Sequence, residues 1–161
     1  MVFSVFRYIK LPPAEDSKFS KIMVAIDGSE HSLKAAEYAL EIAKCFSAQL
    51  YAITVTYVPE YHLKQEDVLN QSIEMRGSIE DAKTWLEKFN QDSREDSIQL
   101  KIELINSHRP VDYVILEYAE KNDIDLIVLG TRGRSGFKKL LLGSIASSVV
   151  TYAHCPVMVV K

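Results

Sequence analysis

The chain has 161 residues, 47% of them hydrophobic and 25% charged, with a formal net charge of -3. That suffices for one domain with a sizeable core and is ordinary for a globular protein. The charge gives no electrostatic reason to expect nucleic acid as a partner, and no stretch approaches the ~20 apolar residues that span a bilayer.

Residues 1–19 mix Phe3, Val5, Phe6, Tyr8 and Ile9 with Arg7 and Lys10, and so lack the uncharged core and cleavage site of a signal peptide. Pro12-Pro13 followed by Glu15-Asp16 reads as a linker. The chain therefore divides into an extension over 1–19 and a domain over 20–161. Cys45 and Cys155 have no CxxC neighbour and read as reduced, buried thiols of a cytoplasmic protein.

The apolar run 21–27 ends in Asp27 and then Gly28-Ser29, which predicts a buried strand, a turn, and Ser29 as the N-cap of a helix. Leu33, Ala36, Leu40, Ala43 and Phe46 recur at helical spacing, widened by Ala39 and Ile42. Residues 49–58 are β-branched and aromatic, a second strand stopped by Pro59. Ser72, Met75, Ile79, Ala82, Leu86 and Phe89 then predict a helix laid on a sheet. Two to three heptads are too few for a coiled coil. Residues 98–105 alternate apolar and polar, as expected of a strand with one wetter face at a sheet edge.

Pro110 suits a first helical turn, and Val111, Val114, Ile115, Tyr118 and Ala119 form the buried face of that helix. Leu126, Ile127, Val128 and Leu129 are continuously apolar, the pattern of a strand covered on both sides. After Gly130 come Gly133, Gly136, Arg132, Arg134, Lys138 and Lys139, and then Gly143-Ser144 opens a helix with Ile145, Ser148, Val149 and Tyr152 on one face. Residues 156–161 are a final strand, with proline first as expected. Alternating strands and helices predict a doubly wound parallel sheet of five strands in three layers, α/β/α. Its crevice lies at the carboxyl ends of the strands, where the first and fourth are neighbours and end in Asp27 and Gly130.

A buried strand feeding a basic, glycine-rich loop and then a helix start suits a phosphate: glycines let N–H groups converge, and the helix start adds unpaired donors. Asp27 is either a turn residue or a carboxylate accepting from an adenine amino group or a ribose hydroxyl. The four basic side chains either face solvent or flank phosphate. Catalytic signatures are absent: Ser135 lacks the GxSxG spacing, and the four histidines form no HExxH. No Gly-Lys-Ser/Thr follows the loop, and its G-x-x-G-x-x-G is not a Rossmann fingerprint.

Gly130, two residues, Gly133, nine residues, then Gly143-Ser144 resembles the ATP-binding signature of the universal stress protein family. The opening KIMVAIDGSEHS, the run DLIVLGTRG and the closing AHCPVMVVK extend the likeness across 20–161, as a universal stress protein domain. The resemblance implies a Rossmann-like sheet of the adenine nucleotide alpha hydrolase-like kind in strand order 3-2-1-4-5. It also implies an ATP-binding protein of stress response. Asp27, with Ala25 and Ile26, resembles the adenine-side strand end, and Val55 the residue packed on the base. Gly130, Thr131, Arg132, Gly133, Gly143 and Ser144 resemble the ribose and phosphate cradle, with Ile145 and Ala146 adding helix-start N–H groups.

Mg²⁺ or Mn²⁺ is expected through the phosphates, with no protein metal site. A homodimer is expected through the terminal strand 157–160, whose apolar edge is otherwise an aggregation liability. Two other functions stay open on the residues: a slow ATPase or adenylate-handling enzyme, and a nucleotide-independent interaction module.

Overall fold

The structure, a computed structural model, describes residues 19–57, 84, 91, 98–131 and 142–161. Five strands and three helices are described: β1 (Lys21–Ala25), α1 (Glu30–Phe46), β2 (Gln49–Tyr57), β3 (Leu100–Ser107), α2 (Val111–Lys121), β4 (Leu126–Gly130), α3 (Ser144–Tyr152) and β5 (Val157–Val160). The helix expected over 72–89 lies outside the described residues.

The sheet is parallel throughout, in the order β3-β2-β1-β4-β5. The expected fold is the observed one. Its register sets Val24 beside Ala52 and Val128, and β2 runs on past the end of β1 to Tyr57. β3 lies at an edge and none of its residues is fully buried, which explains its alternation. β4 is central, and its four apolar residues are all buried.

Side chains on one face of the sheet (Ile22, Val24, Leu50, Ala52, Leu126 and Val128) pack with Ala35, Ala39 and Ala43 of α1. Those on the other face (Met23, Ile53, Ile127 and Leu129) pack with Ile115 and Ala119 of α2 and Val149 of α3. This is the three-layer arrangement. Each fully buried large aliphatic side chain contributes about 1.5–3 kcal/mol, so the paired central strands hold most of the apolar stabilisation.

Two readings are corrected. On α3 the buried residues are Ala146 and Val149, whereas Ile145 and Tyr152 are 39% and 71% exposed. Apolar spacing located the helix but not its rotation. Cys45 is exposed at the end of α1, and only Cys155 is partly buried. Neither forms a disulfide.

Candidate functional site

The first wall of the site is the turn after β1. Gly28 adopts φ 82°, a conformation that a Cβ disfavours, and turns the chain into α1. Ser29 caps that helix as expected: its hydroxyl accepts from the Ser32 N–H at 3.3 Å. Asp27 Oδ1 in turn accepts from Ser29 N at 3.0 Å and Ser29 Oγ at 2.6 Å. Ser32 Oγ accepts from Asp27 N at 3.3 Å and donates to Ser29 O at 2.9 Å. Asp27 is thus a turn residue whose carboxylate orients the cap, and it also faces the cavity described below.

The second wall is the end of β4. A Cβ on Gly130 would lie 2.8 Å from the His31 carbonyl carbon, so only glycine lets the start of α1 rest on the strand. Thr131 N donates to Val160 O at 2.7 Å, and Thr131 O accepts from Gly143 N at 2.7 Å. The backbone of one residue thereby ties β4 to β5 and to the residue before α3. Thr131 Oγ1 is buried without a hydrogen-bond partner among the described residues. A hydroxyl so placed costs about 1–3 kcal/mol unless something bonds it.

The third wall is the start of α3. Gly143 is its N-cap and gives no side-chain cap, and the first turn holds no acidic residue. The first intrahelical bond is Ser147 N to Gly143 O at 2.9 Å. The N–H groups of Ser144, Ile145 and Ala146 therefore precede the helical ladder and carry the positive end of its dipole. Gly143 itself is different: its N–H is engaged by Thr131, so the open donors begin one residue later.

These walls enclose a cavity of about 300 Å³ at the carboxyl ends of the strands. Of the residues singled out from the sequence, Ala25, Ile26, Asp27 and Val55 line one side. Gly130, Thr131, Gly143, Ser144, Ile145 and Ala146 line the other. Arg132 and Gly133 lie outside the described residues, as do Arg134, Gly136, Lys138 and Lys139. Ser32, Val111, Ile115 and Leu129 also line the cavity and were not singled out. Ser32 carried a signal, a hydroxyl three residues after the cap. Val111 and Ile115 read only as the buried face of a helix.

Chemically the cavity joins an apolar slot to a cluster of backbone donors. The slot is formed by Val55, Val111, Ile115 and Leu129, and the donors belong to the start of α3. The molecule is a doubly wound α/β protein with a crevice at the topological switch point. The universal stress protein family model matches residues 18–161, and the chain belongs to that family.

Among relatives, the universal stress protein MJ0531 of Methanocaldococcus jannaschii is 38% identical over 147 residues, 91% of this chain and 84% of that one. Among solved structures, universal stress protein UspA from Lactobacillus plantarum superposes with a TM-score of 0.81 at 28% identity. The match covers 91% of this chain and all of that one. The universal stress protein from Archaeoglobus fulgidus in complex with dAMP has the same fold, with a TM-score of 0.63 and 21% identity over 89% and 99% of the two chains. Two more structures of this fold hold cAMP (TM-score 0.66, 22% identity, 90% and 99% coverage) and, from Arabidopsis thaliana, AMP (0.62, 21%, 88% and 91%).

Proposed function

We propose that the cavity binds an adenine nucleotide, ATP with Mg²⁺ or Mn²⁺, and that the protein serves as a nucleotide-dependent regulator in stress response. The observation that carries this reading is the junction of an apolar slot with three helix-start N–H groups outside the helical ladder and a buried Thr131 hydroxyl that has no partner among the described residues. Such a cluster suits an anion that is attached to a flat apolar body. Val55 and Ile26 would pack on the base, Asp27 would accept from its amino group or from a ribose hydroxyl, and Ser144 to Ala146 would take phosphate oxygens. The cation would be held by the phosphates and would neutralise their charge. Complexes of the same fold with cAMP, dAMP and AMP support the adenine part.

The apolar strand β5 at the other sheet edge would pair with a second copy, making a homodimer. Nucleotide would act as a switch by favouring one conformation of the protein over another.

The test is to release small molecules from the purified protein, identify them by mass spectrometry, and titrate ATP with Mg²⁺ while following thermal unfolding. Ligand at a hundred times its dissociation constant raises stability by about 2.7 kcal/mol. Gly133→Asp should abolish that rise. No nucleotide in the native protein, together with no rise on titration, would end the assignment.

A further inference from the structure

Part of the cavity's apolar wall and its donor cluster sit on two helices that pack in one core cluster and share a single side-chain hydrogen bond among the described residues. α2 supplies Val111 and Ile115 to the wall, while α3 supplies the N–H groups of Ser144 to Ala146. Between the helices, Ser148 Oγ donates to Asp112 Oδ2 at 2.6 Å, joining positions 36 residues apart. Asp112 follows Val111 in the first turn of α2, and Ser148 stands one turn beyond Ser144 on the same side of α3.

We infer that the Asp112–Ser148 pair is a positioning device that aims the open N–H groups of α3 at the ligand; the inference rests on the nucleotide reading above. α3 is only nine residues long and buries just two side chains, Ala146 and Val149. Packing, with Val150 and Ala153 partly buried beside them, sets the coarse rotation of so short a helix and constrains small turns about its axis less. The Gly143 N to Thr131 O bond pins the tip of the helix, and a helix pinned at one point can still turn about its axis. The Ser148 bond to α2 is the second point, and two points remove that freedom. Backbone donors bind an oxygen well only when held within about 0.5 Å and 10–20° of the productive geometry. Asp112 is also a carboxylate near a site for an anion. Its charge works against phosphate, which makes a purely electrostatic role in binding the wrong sign.

The experiment is calorimetric titration of the full chain with ATP plus Mg²⁺ and, separately, with adenosine. Asp112→Ala and Ser148→Ala should each weaken ATP about tenfold, the effect of misaimed donors, and change adenosine less than about twofold. The double variant should lose no more than either single, because both remove one interaction. Ser148→Thr keeps the hydroxyl and should bind as the native protein does. Asp112→Asn keeps an acceptor and should stay within about threefold.

Single variants that bind ATP normally overturn the inference, as do losses that add in the double, or adenosine affinity that falls in step with ATP. Tighter ATP binding by Asp112→Ala overturns it too, since that is the signature of relieved repulsion. A native protein that binds neither compound ends the nucleotide reading and this one with it. Native binding with unaltered variants ends this one alone.

Discussion

Gly130 and His31 touch through their backbones: a Cβ on Gly130 would lie 2.8 Å from the His31 carbonyl carbon and 2.9 Å from the Ser32 amide nitrogen. Both neighbours are main chain at the start of α1, so relief requires moving the helix. Gly130→Ala should therefore lose about 1–3 kcal/mol, the cost of overpacking. Gly28→Ala is the comparison. It meets nothing within 4 Å and suffers only its φ of 82°, a cost of about 1 kcal/mol. Urea midpoints with unchanged slopes measure both. Equal losses would show that the contact is easily relieved.

At the opposite ends of the strands, Asp125 Oδ2 accepts from Ser20 N at 2.8 Å, Ser20 Oγ at 2.7 Å and Lys21 N at 2.8 Å. Burial opposes its ionisation, but these hydrogen bonds and the Lys21 charge outweigh burial and hold its pKa below 3.8. A carboxyl depressed in the folded state adds stability above its unfolded pKa, and that stability disappears as pH falls through the folded value. Asp125→Ala should cost about 1 kcal/mol at pH 7 after discounting for solvent screening. The gap between the native protein and the variant should close as the pH drops below about 4. Denaturation midpoints at stepped pH check this, and a gap constant down to pH 2 contradicts it.

The two thiols should differ in reactivity. Burial, followed by the Asp125 charge, pushes the Cys155 thiol up to about 11, so roughly one part in a thousand is thiolate at pH 8. Cys45 is exposed on the last turn of α1. A thiol reagent at pH 8 should label Cys45 about a hundredfold faster or more, and Cys155 only on unfolding. Peptide mapping of a time course reads the order, and simultaneous labelling would refute it.

β5 offers a test of the proposed dimer at a residue that is only partly buried. Pro156 O and Val160 O accept from β4, so by the two-residue period Val157 and Val159 point their backbone groups outward. Val159→Pro removes one outward N–H without breaking the β4 ladder. The variant should fold and sediment as a monomer, whereas the native chain should sediment as a dimer at micromolar concentration. A native monomer removes the dimer proposal.

Much of the architecture was legible in local patterns. A continuous apolar run at 126–129 marked a central strand because a strand with helices on both faces has no wet side. Alternation at 98–105 marked an edge, and the strand runs Leu100–Ser107. Ser29 announced a cap because its hydroxyl reaches only a few residues, a distance the chain itself sets. The glycine spacing pointed to residues that line the cavity: Gly130, Thr131, Gly143 and Ser144 flank one loop, and Gly143 N meets Thr131 O.

Contacts between distant elements were beyond that reach. Spacing put Ile145 and Tyr152 on a helical face with Val149, but packing on the sheet turned Ala146 and Val149 inward and left the other two exposed. Gly143 looked like a phosphate donor until the fold brought Thr131 O to its amide. Val111 and Ile115 became a cavity wall, and Asp112 met Ser148, only once α2 lay beside α3. Periodicity along a chain specifies which elements form and roughly which side is apolar. How each element is rotated, and which atoms then meet across tens of residues, follows from close packing of the whole molecule, and no stretch of sequence holds that information alone.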